Sequence, residues 1–180
     1  MTPRQLDRRR RVIEAVKALV AERGVADLQV KDIAERADVS LAAIYRYFSS
    51  KEHMLAEALL DWAGQLGRRR PDSFASLVHH GVAAYRRSPH FASLFLEVAS
   101  SRDPHALASF GRMSDTITAA MYEALPPVAP GTADDIVRIV GNAWLGGLFD
   151  CVHGRSQFAE LERTLETACR LLLGAVEAPA

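Results

Sequence analysis

Apolar residues recur at helical spacing along almost the whole chain. Leu6, Ile13, Val16 and Val20 fall on one stripe, which Gly24 closes as a C-terminal cap. Val30, Ile33, Ala34 and Ala37 predict a second, short helix. Leu41 to Phe48 predict a third of eight residues, with Ser40 as its N-cap. Ser49-Ser50-Lys51-Glu52 reads as a capping box, Ser49 bonding forward and Glu52 back. It opens a helix carrying Leu55, Ala58, Leu59, Trp62 and Leu66. Proline, which breaks helix interiors, is absent between Pro3 and Pro71 and then marks helix starts and loops. After Pro71 the spacing predicts helices over 72–87, 89–100, 104–125, 132–153 and 157–176. No window alternates like a strand, and no internal repeat is present, so an all-α fold is expected.

The informative stretch is 28–52, where two short helices are joined by a turn of about three residues, the helix-turn-helix spacing. Small Ala34 sits where the second helix must cross closely, and Ile44 points back to lock the pair. Asp38 falls in the turn, where a left-handed backbone is often required and Asp is tolerated better than most residues. An eight-residue recognition helix would be roughly 12 Å long, about the width of a DNA major groove.

Three groups of residues carry a resemblance: Val30-Lys-Asp-Ile-Ala-Glu-Arg-Ala-Asp-Val-Ser40, then Ile44-Tyr45-Arg46-Tyr47-Phe48, then Ser50-Lys51-Glu52 with Leu55. Over roughly residues 8–60 the chain resembles the tetracycline-repressor (TetR) family of bacterial regulators. The remainder is similar only in helical layout and length. The resemblance implies an N-terminal three-helix DNA-binding domain over 1–52, a connecting helix over 51–70, and a helical ligand-sensing and dimerisation domain over 71–180.

Site residues follow from the resemblance. Tyr45, Tyr47 and Lys51 match phosphate contacts, which fix register without reading sequence. Lys31, Ser40, Leu41, Ala42, Ala43 and Arg46 match positions at the groove or its edge. Arg46 and Lys31 have the chemistry to read guanine, and Ala42 or Ala43 to touch a thymine methyl. Gln29 replaces a frequent threonine and can still donate to a phosphate. Asp38 replaces a frequent glycine and brings a negative charge to the turn. Phe48 reads as a core aromatic, and Arg8 to Arg11 as either a solvated face or an arm touching DNA.

Composition adds one asymmetry. The chain has no net charge, but residues 1–70 hold 14 Lys+Arg against 10 Asp+Glu, and residues 71–180 hold 8 against 12. A basic N-terminal part suits a nucleic-acid contact. No apolar run reaches membrane-spanning length, the first residues lack a signal peptide's apolar stretch, and Cys151 and Cys169 form no CxxC. The expectation is a cytoplasmic protein without membrane contact. No GxSxG, GxxxxGK, HExxH or GxGxxG occurs, so no catalytic role, cofactor or metal is expected.

The C-terminal region offers aromatics and methionine for an apolar or aromatic small-molecule ligand: Phe91, Phe95, Phe110, Met113, Tyr122 and Trp144. The resemblance implies that the last two helices pair with their symmetry mates, and Ala143, Gly147, Leu161, Leu165 and Leu172 are the candidate contacts of a homodimer. The function expected is a regulator, a repressor released by its ligand from a pseudo-palindromic double-stranded DNA operator. The rivals are a helical enzyme or carrier, which would need a catalytic constellation, and a constitutive architectural DNA-binding protein, which would lack a pocket.

Overall fold

A computed structural model describes residues 1–66 and 72–177. Every regular element among them is helical: α1 Pro3–Arg23, α2 Val30–Ala37, α3 Leu41–Ile44, α4 Lys51–Leu66, α5 Phe74–Arg87, α6 His90–Ala99, α7 Pro104–Ala124, α8 Pro130–Val152 and α9 Phe158–Glu177. The end of the expected connecting helix, residues 67–70, lies outside the described residues. No described helix is long and apolar enough to cross a membrane.

The chain forms two compact units, one of residues 1–65 with 88–114, the other of 66–87 with 115–180. Packing therefore does not divide the chain at the expected 52/71 boundary.

In the first unit, α1 begins with a capping box at Thr2 and Gln5 and ends at Gly24, whose φ is +80°. Val12, Val16 and Val20 are fully buried; Leu6, expected on the same stripe, is 54% exposed because the stripe is covered only from Val12 onward. Ile33, Ile44, Phe48, Met54, Leu55, Leu59 and Leu94 complete the core, each such burial contributing about 1.5–3 kcal/mol. Phe48 is the core aromatic that the sequence indicates.

Two local expectations are corrected. The third helix is α-helical only over Leu41–Ile44, not Leu41 to Phe48. The Ile44 carbonyl accepts both the Tyr47 and Phe48 N–H groups, tightening the chain into a turn that delivers Phe48 to the core. The cap of α4 is also shifted by one residue. Ser50 Oγ, not Ser49, accepts the forward bond, from the His53 N–H at 2.9 Å. His53, not Glu52, reaches back, its Nδ1 accepting the Ser49 N–H at 3.2 Å.

In the second unit α9 packs against both α5 and α8. Its buried stripe is Leu161, Leu165 and Cys169, four residues apart along one face. Leu161 lies against Gly147 on α8, where a Cβ would collide with its Cδ1. Leu161 and Leu165, expected at a dimer contact, are buried in the core of their own unit, 3% and 0% exposed. Ala143, Gly147 and Leu172 are half-buried. Trp144 meets Gly81 and the Tyr85 ring, centroids 6.0 Å apart.

Candidate nucleic-acid interface

Asp38 ends α2 in the left-handed conformation, φ 52° and ψ 54°, as the turn demands. The Val39 N–H then donates to the Ala34 carbonyl at 3.0 Å. Arg11 of α1 donates to the Ala37 and Asp38 carbonyls at 2.9 and 3.3 Å, satisfying orphan acceptors at the end of α2. Ser40 Oγ accepts the Ala43 N–H at 3.2 Å and caps α3 as expected. The turn between α2 and α3 is therefore held from both ends.

Ion pairs clamp α2 onto α1. Arg36 grips Glu22 with two bonds of 2.8 and 2.7 Å, and this fork holds the Glu22 carboxyl below its usual range. Arg23 reaches Asp32 at 2.5 Å. Arg9, Arg10 and Arg11 pair with Glu57, Asp7 and again Asp7. Lys17 bonds Asp61 and Glu14; burial opposes its charge, but these partners hold it above the usual lysine range. Most of the basic run 8–11 is thus used inside the unit.

The residues expected to contact DNA differ in this respect. Among the described residues, Lys31, Arg46 and Lys51 make no salt bridge. Gln29, Lys31, Ser40, Leu41, Ala42, Tyr45 and Arg46 are exposed; Ala43, Tyr47 and Lys51 are half-buried. Tyr45 shows 54% and Leu41 46% of its surface. α2, α3 and the start of α4 together present an unneutralised basic and aromatic surface around the end of α3.

The same unit holds a polar hub that sequence reasoning missed. Glu57 of α4, its side chain 8% exposed, bonds Arg9 of α1, accepts from Ser109 Oγ of α7 at 2.6 Å and pairs with Arg112 at 2.5 Å. Burial pushes the Glu57 carboxyl up, but Ser109, Arg9 and Arg112 outweigh it and hold the group below its usual range. The signal was present in Glu57 itself, a lone charge in the buried run Met54–Leu59.

The expected ligand residues are dispersed. Phe91 and Met113 are buried in the first unit, Phe91 stacked on Trp62 with centroids 4.6 Å apart. Phe95 and Phe110 of the same unit form an edge-on pair at 5.3 Å. Trp144 belongs to the second unit, as does Tyr122, which is 42% exposed and donates to Asp134 at 2.7 Å. One surface concavity of about 510 Å³ lies between Arg10, Arg11, Glu14, Arg36 and neighbouring alanines, away from all six. His79, Glu162 and Glu166 bring ligand atoms within 4.8 Å of one another, but Arg86 already neutralises Glu162 at 2.9 Å. Cys169 is buried and Cys151 half-buried, and burial pushes both thiols up, away from reactivity.

With this geometry described, known proteins can be compared. Residues 12–58 match the model of the bacterial regulatory proteins of the tetR family, and residues 67–172 match that of the tetracyclin repressor-like C-terminal domain. The chain is 28% identical over 180 residues to the HTH-type transcriptional repressor KstR of Rhodococcus jostii (strain RHA1), covering 94% of this chain and 84% of that one. In structure it resembles a TetR transcriptional regulator from Rhodococcus sp. RHA1, with a TM-score of 0.79, 23% identity and coverage of 94% and 97%. It also resembles the regulator FadR from Bacillus subtilis, solved with stearoyl-CoA, with a TM-score of 0.66, 15% identity and coverage of 93% and 99%. At those identities the two structures establish the shared fold.

Proposed function

The chain belongs to the tetR family of bacterial regulatory proteins, and from that membership we propose that it is a homodimeric repressor released from its operator by a small molecule. The observation that carries the DNA-binding part is the contrast among basic residues. Arg9, Arg10, Arg11, Lys17, Arg23 and Arg36 are paired with acids, whereas Lys31, Arg46 and Lys51, like Arg4 and Arg8 at the start of α1, make no ion pair among the described residues and are open to an outside anion. Phosphate is the anion that the helix-turn-helix geometry addresses.

Tyr45, Tyr47, Lys51 and Gln29 grip the backbone, while Lys31, Arg46 and the small side chains of α3 face base edges. The dimer contact moves from Leu161 and Leu165 to the apolar residues left exposed on α8: Ile139 at 43%, Leu145 at 45% and Phe149 at 42%. Leu171 on α9, 60% exposed, joins them. These are the large apolar side chains that α8 and α9 leave exposed among the described residues, and they support a partner surface on these helices. The ligand is apolar or aromatic and binds in the region after residue 71; the complex of a protein of the same fold with stearoyl-CoA supports a ligand with a long apolar part.

The test is selection of bound sequences from genomic fragments with the purified protein. The expected result is an enriched pseudo-palindrome with half-sites about one helical turn apart. Retention of fragments without any enriched sequence would overturn the reading.

A further inference from the structure

Next to the DNA-facing corner lies a histidine used as a hydrogen-bond acceptor. The Ser49 N–H donates to His53 Nδ1 at 3.2 Å, and the His53 N–H donates to Ser50 Oγ at 2.9 Å. Ser49 Oγ also lies 3.2 Å from Nδ1, and the Ser49 N–H aimed at that nitrogen fits the neutral ring with its proton on Nε2. Nε2 faces Glu57 Oε1 at 3.9 Å. The ring is closed in by the edge of Phe48 at 5.5 Å and by His105, stacked at 5.2 Å with 18° between planes.

The groups around the ring do not favour a cation. Burial is the largest influence against it, and His105 of α7 and Arg9 of α1 add to it, while Glu57 and Asp103 oppose them. Together they hold His53 below the ordinary histidine range. Glu57 cannot easily turn to a protonated His53, because Arg9 takes Oε2 and Ser109 and Arg112 take Oε1. The position itself, three residues into α4, adds the unfavourable end of the helix dipole.

We propose that His53 is an acid-sensitive latch on the DNA-contacting corner: protonation turns Nδ1 from acceptor to donor, leaves the Ser49 N–H without its acceptor and the Ser49 Oγ as the new one, and so shifts the Tyr47–Lys51 segment from the geometry its phosphate contacts need. The native corner holds the neutral ring, so the latch is closed above the ordinary histidine pKa of about 6.5 and opens as pH falls through the lower value of the folded protein. Its effect on DNA rests on the function proposed above; the latch itself is a property of the protein without DNA.

The experiment follows both levels in the full-length protein between about pH 7.5 and 5.5. By NMR, the Ser49 amide should titrate with the same midpoint as the His53 ring, and should be flat in His53→Gln, whose carboxamide oxygen accepts without titrating. At constant salt, wild-type affinity for a random-sequence duplex should fall relative to His53→Gln by about threefold to tenfold, the worth of one hydrogen bond. The two proteins should match at the upper pH. His105→Gln, which removes the stacked partner, should raise the His53 midpoint, and this holds as a test even if His53→Gln fails to fold. A Ser49 amide that does not follow His53, an unmoved midpoint in His105→Gln, or the same pH dependence in His53→Gln overturns the latch. Loss of all wild-type DNA binding at the upper pH instead overturns the DNA reading, and the NMR titration then judges the latch alone.

Discussion

The guanidinium of Arg9 lies over the ring of Phe48, its Cζ 5.4 Å from the ring centroid, while the same side chain bonds Glu57. Phe48 closes the recognition segment and is 1% exposed, so Arg9 ties the first helix to the end of the DNA-reading element. A cation over an aromatic face contributes about 0.5–1 kcal/mol, more when desolvated. Glu57 then extends the tie to α7 through Ser109 and Arg112.

Glu57→Gln should weaken this junction. Removing one partner of a buried ion pair costs about 3–5 kcal/mol, which we reduce to about 2 because Arg9 and Arg112 are partly exposed, 30% and 57%. The carboxyl is held below its ordinary value when folded, so it stabilises the fold above the ordinary carboxylate range. That contribution is lost as pH falls through the lower folded value. Urea unfolding at neutral and acid pH checks both points: the variant should be less stable at neutral pH, and the gap should narrow in acid. A variant as stable as wild type at neutral pH refutes the hub.

Lys51→Ala and Tyr45→Phe should weaken binding to specific and random DNA by similar factors. Losing Lys51 should lower the salt slope by about one unit. Fluorescence anisotropy over a salt series measures it. An unchanged slope in a folded Lys51→Ala protein removes Lys51 from the phosphate contacts.

Arg46→Ala or Lys31→Ala should instead relax preference at a defined operator position, by about 1–3 kcal/mol for a bidentate contact. Repeating the sequence selection with each variant reads this directly, and identical selected sequences would exclude both as readers.

Much of this was legible in the sequence, for identifiable reasons. Long apolar stripes fix helices, so α5 to α9 fall within a few residues of their expected spans. The tight turn at Asp38 was legible because few residues tolerate that backbone. The cap of α4 was misplaced by one residue because Ser49-Ser50 offers two hydroxyls, and only tertiary packing against Phe48 and His105 selects Ser50 and His53. The third helix was overlong because periodicity cannot distinguish a continuing helix from a turn that buries Phe48. Burial within a subunit and burial between subunits leave the same apolar stripe, so the sequence alone could not place Leu161 and Leu165 in the core of their own unit.

Asp38→Gly should act on both stability and binding. Glycine takes the left-handed conformation without penalty, and the bridge lost to Arg11 is a loose 3.6 Å contact at an exposed carboxylate. A gain of about 0.5–1 kcal/mol in stability is expected. Removing a negative charge from the turn should also strengthen binding to any duplex. Thermal melts and anisotropy test the two effects; weaker DNA binding would mean that Asp38 helps to hold the turn rather than burdening it.

Leu145→Arg with Phe149→Arg should leave the protein helical and monomeric, because a two-fold contact doubles each buried charge and each costs several kcal/mol. Specific operator binding should fall to the non-specific level. Leu165→Arg, at a position 0% exposed, should unfold the second unit instead. Light scattering with circular dichroism separates these results, and a helical dimer in the double variant would place the interface elsewhere.

The brevity of α3 limits what one subunit can know of its target. Leu41, Ala42 and Ala43 can touch methyl groups but cannot donate or accept through their side chains, and Ser40 Oγ, which accepts the Ala43 N–H, keeps only its short O–H to donate. Arg46 and Lys31 are left as the long donors able to interrogate base edges. A half-site therefore carries little information, and short matches to it will recur by chance throughout a genome. In the homodimer proposed above, discrimination comes from the conjunction of two poor readings at a fixed separation, so symmetry, rather than any single side chain, does most of the recognising.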